Sequence, residues 1–178
     1  MTATDPVIRE VGARELDAVL ALYPKAFPDE DLRSLVTALA TGTADTVSLA
    51  AFAGGEPVGH AVFTLFDGGA STHDGRGALL GPLGVHPAWQ QRGIGTSLVR
   101  DGLSRLAASG VRQVFVLGDP GYYARHGFGA ETRIRPPYEL PGEWNGTWQS
   151  LALKGAAPLA GERIHLPVEW MDPALWRP

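Results

Sequence analysis

The hydrophobic and polar positions along the chain follow two periods, one typical of helices and one typical of strands. Apolar residues recur at helical spacing over residues 17–27, over a second helix that Asp29 is placed to cap, and over 93–109. Shorter apolar runs bounded by glycine, proline or polar residues indicate strands. The predicted strands cover residues 7–11, 47–52, 57–66, 76–85, 111–117 and 148–153, with a return to the sheet from Phe128.

The connections between these elements add detail to the prediction. Residues 53–56 read Ala-Gly-Gly-Glu, which is typical of a hairpin turn, and Gly110 is placed to end the long helix. Residues 122–126 fit one or two turns of helix, and residues 164–170 suggest a further strand. Gly81-Pro82 interrupts an apolar strand, which usually marks a bulge.

The order strand, helix, strand across residues 78–117 is a βαβ unit, so its two strands should run parallel. Together with the preceding meander of strands, this predicts an α/β (α+β) fold. The pattern contains no repeat and no linker. We therefore expect a single domain over residues 1–178, with a core of about 7–153 and a C-terminal extension of 154–178 that is rich in proline and tryptophan.

Composition narrows the functional classes. A net charge of −4 argues against a general nucleic-acid partner, because such domains usually carry a basic excess. The chain has no cysteine, which excludes disulfides, thiolate metal sites and a cysteinyl acyl-enzyme. No histidines and carboxylates have metal-ligand spacing, so no metal is expected. The N-terminus lacks a signal pattern and no apolar run is long enough to cross a bilayer, which favours a cytoplasmic protein without a membrane partner.

The segment over residues 78–98 carries the strongest functional signal. An apolar strand runs into a glycine-bearing turn that opens directly into an amphipathic helix. This arrangement directs free backbone amides and the positive end of a helix dipole at one point, which is a site for phosphate. The turn lacks the lysine of a P-loop, and its glycine spacing differs from that of a dinucleotide fold.

The spacing Gln90-x-x-Gly93-x-Gly95, after Val85-His86-Pro87, resembles the pyrophosphate motif of the GNAT superfamily of acyl-CoA-dependent N-acetyltransferases. The segment from Tyr123 to Phe128 is similar to the Tyr-x-x-x-Gly-Phe segment of that family. The fuller run over residues 117–128 resembles one bacterial subgroup. The order of strands and helices also fits the family from about Val7 to Leu153.

The resemblance implies a GNAT-like fold, a mixed sheet of six to seven strands flanked by helices and splayed between two central parallel strands. It also implies acetyl-CoA, or coenzyme A, as co-substrate. Backbone amides at the helix start would hold the pyrophosphate, and the pantetheine arm would pair with the preceding strand. A Cβ at Gly93 or Gly95 would hold the phosphate away from the backbone. The implied binding residues are Leu83, Gly84, Val85, Gln90, Gln91, Arg92, Gly93, Ile94, Gly95 and Thr96.

For catalysis, Tyr123 matches the position that supplies an acid to the leaving thiolate in many family members. A core tyrosine is the alternative, and Tyr122 competes, since neighbours on one helical turn point in different directions. A backbone N–H near residues 83–85 is the candidate for holding the oxyanion. The general base that deprotonates the amine is not determined by the sequence. Four carboxylates are candidates, and each of them also fits a solvated or capping role. They are Glu30, Asp31, Asp67 and Asp74.

The histidines and the tryptophans near the C-terminal end give weaker evidence of function. His86 and His126 fit structural roles, and His60 lies on a strand where either face is possible. Core or interface packing is the preferred interpretation for the late tryptophans, with walling of an acceptor pocket as the alternative. They are Trp144, Trp148, Trp170 and Trp176.

The leading hypothesis is an N-acetyltransferase that transfers an acetyl group from acetyl-CoA to an amine by direct attack in a ternary complex. A small-molecule amine acceptor is favoured, and peptide or protein amines stay open. The alternatives are a non-catalytic acyl-CoA-binding or sensor module on the same fold, and an acyltransferase for longer acyl groups. The sequence leaves the acceptor undetermined, and it leaves the choice between monomer and homodimer open.

Overall fold

The structure, a computed structural model, describes residues 5–68 and 75–177. Within these ranges seven strands form one sheet and four α-helices flank it or connect its strands. The strands are β1 (Val7–Glu10), β2 (Thr46–Ala53), β3 (Glu56–Asp67), β4 (Arg76–Val85), β5 (Val111–Leu117), β6 (Gly129–Ala130) and β7 (Trp148–Ala152). The helices are α1 (Leu16–Ala26), α2 (Arg33–Thr41), α3 (Ile94–Ala108) and α4 (Pro120–Tyr123).

The sheet has the order β1-β2-β3-β4-β5-β7-β6. Its neighbouring strands are antiparallel except β4 and β5, which run parallel and are joined by α3. The prediction of a mixed sheet of six to seven strands with a central βαβ unit is therefore confirmed. The predicted β2–β3 turn is also confirmed, because Gly54 and Gly55 both have positive φ, which two-residue hairpins of this kind require.

The strand β4 bends away from β5 at a bulge. On β3, Ala61 pairs with Leu83 and Phe63 pairs with Leu80, so Gly81 and Pro82 stand opposite a single residue. The parallel ladder with β5 also ends at Leu80. Beyond that point β4 stays bonded to β3, while β5 continues along β7, and a gap opens between the two parallel strands. The bulge and the splay predicted from the sequence are both present.

Apolar side chains fill both faces of the sheet. Helix α3 covers one face, where Leu98, Val99 and Leu106 are fully buried among strand residues such as Val114. Helices α1 and α2 cover the other face together with the C-terminal segment. Buried members of this second core come from both ends of the chain: Val19, Tyr23, Val36, Phe115, Leu159, Ile164, Trp170 and Trp176.

Two predicted details are wrong. Helix α2 begins at Arg33, and it is Asp31 rather than Asp29 whose carboxylate accepts the Arg33 amide, at 3.1 Å. Residues 164–170 form no strand; Val168–Trp170 is a 3-10 turn that turns the Trp170 indole inwards. The buried indole N–H donates to Thr64 at 3.0 Å, and this interaction outweighs the local strand preference. Among the described residues, no helix is long and apolar enough to span a membrane.

Candidate functional site

The turn between β4 and α3 is fixed by its own side chains. His86 accepts the Ala88 amide at 3.1 Å and begins a short 3-10 turn over Pro87–Trp89, in agreement with the structural role predicted for it. The Gln90 side chain then donates to the Val85 carbonyl at 3.1 Å. These bonds tie the loop back to the end of β4, so the start of α3 has a defined position beside that strand.

The backbone from residue 91 to residue 96 forms a cradle of free amides. Gln91 has φ +58° and Gly93 has φ +79°, so both residues adopt the left-handed backbone conformation. This conformation is strained for a residue other than glycine, and such strained residues cluster at functional sites. Within residues 5–68 and 75–177, the amides of 91–96 donate to no protein group, and the first helical bond runs from Ser97 to Gly93. The dipole of the 15-residue helix α3 adds positive potential at this point.

A cleft of about 620 Å³ lies in front of these amides and extends into the gap between β4 and β5. Eight of the ten residues predicted to bind the cofactor line it: Leu83, Val85, Gln90, Gln91, Gly93, Ile94, Gly95 and Thr96. The other two lie outside its lining. Gly84 faces α1, where a Cβ would meet the Phe27 ring, and the Arg92 guanidinium stacks over Trp89 at 4.9 Å.

The cleft also contains residues that the sequence did not single out. They are Trp89, Gly118, Asp119 and Arg125; Tyr122, predicted as the alternative to Tyr123, lines the cleft as well. Most of them belong to the run over residues 117–128, which resembled a family segment. Only the fold, however, brings this run against the start of α3. Asp119 caps α4 by accepting the Gly121 amide at 2.9 Å, and the Arg125 guanidinium lies 4.8 Å from the Tyr122 ring centre.

The structure gives a reason for glycine at position 95 that differs from the predicted one. A Cβ at this position would lie 2.5 Å from the hydroxyl oxygen of Tyr122. The glycine therefore admits the Tyr122 hydroxyl to the first turn of α3. At Gly93, by contrast, a Cβ would meet no atom of the described residues within 4 Å, and the positive φ of this residue favours glycine.

Tyr123 lies deeper in the gap than its neighbour. Its ring packs edge-on against Phe128 at 5.7 Å and Tyr122 at 5.0 Å. Burial, with a smaller contribution from Tyr122, raises the pKa of Tyr123 well above its usual range, so the phenol is protonated at neutral pH. In the described part of the chain no group hydrogen-bonds its hydroxyl, which leaves the proton available to a ligand.

The edge of β4 that faces the gap presents free backbone groups. The His86 amide bonds Val58 of β3, and amides along a strand alternate between its two edges. The amides of Leu83 and Val85 therefore point away from β3, into the gap. An extended ligand in the gap would find backbone partners there, and so would an oxyanion.

A second cavity, of about 220 Å³, lies on the α1–α2 side of the gap. It shares Leu83 and Tyr123 with the cleft, so the two spaces meet at these side chains. Its other walls are mainly apolar: Phe27, Leu32, Leu35, Leu79, Leu80, Gly81, Pro82, Leu117, Trp170, Leu175 and Trp176. Glu30 is the carboxylate among the described residues that line it.

The other candidate bases lie elsewhere. Asp31 is bonded to Arg33 at 2.7 Å, which lowers the pKa of that carboxyl to about 2. Asp67 lies 3.8 Å from Arg76 at the far end of the sheet, and Asp74 falls outside the described residues. Of the three candidates that the structure describes, Glu30 is the one that lines a cavity beside Tyr123.

The other histidines and tryptophans that the sequence analysis considered contribute mainly to packing. His60 is buried on the α1 side and bonded to Tyr23 and Ser48 at 2.7 and 2.8 Å. His126 packs beside Tyr122 at 5.4 Å. Trp148, Trp170 and Trp176 are buried, as the packing interpretation predicted, whereas Trp144 is only partly so. No group of three or more metal-binding side chains occurs among the described residues.

Comparison with known proteins agrees with this geometry. The model of the acetyltransferase (GNAT) family matches residues 16–128, which is more than half of the chain. The chain belongs to the GNAT acetyltransferase family. The matched residues include both the amide cradle and the segment that carries Tyr123.

Curated and structurally characterised N-acetyltransferases resemble this chain over more than half of its length. The uncharacterized N-acetyltransferase YjhQ of Escherichia coli K12 is 36% identical over 110 residues, which are 60% of this chain and 61% of YjhQ. The match thus spans about three fifths of that curated relative. A GNAT acetyltransferase from Brucella melitensis, solved in complex with acetyl-CoA, is 31% identical, with a TM-score of 0.70 and coverage of 90% and 96% of the two chains.

The E. coli protein YhbS, solved in complex with CoA, has a TM-score of 0.78 over 96% of this chain and 94% of YhbS. At 24% identity it supports the fold alone. The particular bacterial subgroup suggested by residues 117–128 remains a prediction.

Proposed function

We propose that the protein transfers the acetyl group of acetyl-CoA to the amine of a small molecule, by direct attack within a ternary complex. The observation that carries this proposal is the junction of two spaces at Tyr123 and Leu83: a cleft lined by the start of α3 on one side and a mainly apolar cavity on the other. A transferase that binds two substrates at once needs two such spaces with a shared wall. The family membership and the CoA-bound relatives support the same function.

The cleft fits the parts of coenzyme A in order. The free amides of residues 91–96, at the positive end of α3, suit a pyrophosphate. Arg125 adds a cation to the lining, and we expect it rather than Arg92 to contact phosphate, because Arg92 lies outside the lining. The gap between β4 and β5 accepts an extended amide-bearing arm, which the Leu83 and Val85 amides would bond.

Acetyl-CoA, when bound, supplies a thioester whose acyl carbon is open to attack by an amine and whose sulfur departs as a thiolate. The Leu83 or Val85 amide would hold the carbonyl oxygen as it gains negative charge. Tyr123 would donate its phenolic proton to the departing sulfur, and the proton that the attacking amine releases when the N–C bond forms would restore the phenol. A free thiol has a pKa near 8.5, so its thiolate is a fair leaving group that needs only a weak acid, and the raised pKa of the phenol keeps its proton in place before the reaction.

We propose that the C-terminal segment forms part of the acceptor site. Trp170, Leu175 and Trp176 form a wall of the acceptor cavity and pack into the core with α1 and α2. We therefore treat residues 1–178 as one catalytic domain, in which the extension completes the acceptor site. The cavity of about 220 Å³ is below the range of roughly 300–1,000 Å³ that suits drug-sized ligands, which favours a small acceptor.

Replacement of Tyr123 by Phe tests the proposal. We expect kcat to fall about 100-fold near pH 7 while the affinity for CoA, measured by calorimetry, stays within about twofold. The defect should shrink as the pH rises above about 8.5, since a thiolate then leaves without needing a proton. Tyr138→Phe is the matched control, because the Tyr138 hydroxyl bonds the Met171 carbonyl and lies outside both cavities.

Three results would contradict the proposal. The first is a protein that binds neither CoA nor acetyl-CoA. The second is one that binds them but releases no thiol with any amine of a broad panel, which would favour the non-catalytic binding module. The third is a Tyr123→Phe variant as fast as wild type at every pH, which would remove Tyr123 from the mechanism.

A further inference from the structure

The cavity beside Tyr123 has a chemical character that specifies its occupant. Resting on the proposed function, we infer that the acceptor is a primary monoamine carried on an aromatic or branched alkyl group. In this arrangement the apolar group lies among the tryptophan and leucine side chains and the amine lies between Glu30 and Tyr123. The argument rests on the walls, the charge and the size of the cavity.

The walls offer surface for apolar contact and few polar groups. The indole N–H of Trp170 donates to Thr64 at 3.0 Å, and that of Trp176 donates to the Trp170 carbonyl at 3.0 Å. Both donors are used within the protein, so the rings contribute only apolar surface to the cavity. Leu32 and Leu35 of the α2 region add aliphatic surface opposite them. A flat or branched apolar group matches such walls, whereas a polyhydroxylated one would lose its water partners there.

Among the described residues that line the cavity, the charged side chain is a single carboxylate. Glu30 lies on the loop between α1 and α2, is exposed, and has no ion-pair partner among the described residues. Its neighbour Asp31 is already bonded to Arg33. One unpaired carboxylate at the rim balances one ammonium group. A polyamine or an aminoglycoside would carry further charges against apolar walls, where unpaired charge is costly.

Selectivity among amines tests the inference. With acetyl-CoA as donor and thiol release as readout, 2-phenylethylamine should have a kcat/KM at least about tenfold above that of ethylamine, because only the former fills the cavity. Kanamycin and spermidine should be poorer still. Equal kcat/KM for the first two amines, or preference for a polycation, would overturn the inference.

Two variants with matched controls locate the selectivity. Glu30→Gln should raise KM for 2-phenylethylamine about fivefold. Asp29→Asn, which removes a neighbouring carboxylate outside this cavity, should leave it unchanged. Leu175→Trp should fill the cavity and lower kcat/KM at least about tenfold, while Met171→Trp, on an exposed site outside the lining, should not. Identical behaviour of Glu30→Gln and Asp29→Asn would refute the role of Glu30.

A failure of this inference is separable from a failure of the proposed function. Calorimetry with CoA alone reports on the cleft and involves no acceptor. If CoA binds and another class of amine is acetylated efficiently, the acceptor class is wrong and the acetyltransferase proposal stands. If CoA does not bind, the proposed function itself fails.

Discussion

Lowering the pH from 7 to 5 should destabilise the protein through His60, whose ring is buried between α1 and the sheet with 1% of its surface exposed. The Tyr23 hydroxyl lies 2.7 Å from Nδ1, and the Ser48 hydroxyl lies 2.8 Å from Nε2. Among the described residues, the hydroxyl proton of Tyr23 has no acceptor other than Nδ1. The arrangement that satisfies this proton therefore has Tyr23 donating to Nδ1. Nε2–H then donates to Ser48.

A second proton on His60 would break this network. With both ring nitrogens as donors, the Tyr23 hydroxyl would lose its acceptor, and the charge would lie in a desolvated site. Burial accordingly lowers the pKa of His60 to about 4 from its usual 6.5. The unfolded chain therefore binds more protons than the folded one between these two values. The contribution to stability is complete above pH 6.5 and is lost as the pH falls towards 4.

Lowering the pKa of His60 from 6.5 to about 4 corresponds to about 3 kcal/mol in all, at about 1.4 kcal/mol for each pKa unit. About 2 kcal/mol of this should be lost between pH 7 and pH 5. Urea unfolding at both pH values measures the loss, and the same experiment on His60→Gln subtracts the contribution of every other titrating group. The variant should lose about 2 kcal/mol less than the wild type over this interval.

Equal pH dependence of the wild type and of His60→Gln would refute this reasoning. If His60→Gln is too unstable for a two-state analysis, NMR titration of the wild-type His60 ring gives the same answer directly. A midpoint near 6.5 in the folded protein would contradict the assigned network. A ring that stays neutral to about pH 4 would support it.

Three further substitutions follow from local geometry. Gly102→Ala should destabilise the fold by about 1–3 kcal/mol in urea unfolding, because a Cβ there would overlap the Phe63 ring in the core; a smaller change would show that the ring can move aside. Gly93→Ala should weaken CoA binding about tenfold in calorimetry, since its φ of +79° disfavours a side chain and the adjacent amides would reorient. Gly110→Ala, with a similar φ of +83° far from the cleft, should leave that affinity unchanged. Trp170→Phe removes a buried indole hydrogen bond and should cost about 1–3 kcal/mol, with equal stability counting against the bond.

The sequence was sufficient for the elements whose signal is local. Hydrophobic periodicity predicted the helices and most strands, and glycine spacing predicted the hairpin at Gly54–Gly55 and the amide cradle at 91–96. These features depend on backbone conformation and on the burial pattern of a few consecutive residues. The helix start at Arg33 and the false strand at 164–170 show where this fails, because a neighbouring carboxylate and a distant Thr64 decided the outcome.

By itself, the sequence determined the family, the order of the strands and helices, and the turn that presents free amides to a phosphate. Only the tertiary structure decided that Gly95 admits the hydroxyl of Tyr122 and that Tyr123 stands between two cavities. It also decided that the C-terminal tryptophans wall one of these cavities and that Glu30 lies at its rim. The reason is physical: a backbone turn is specified by adjacent residues, whereas a cavity is bounded by side chains far apart in sequence.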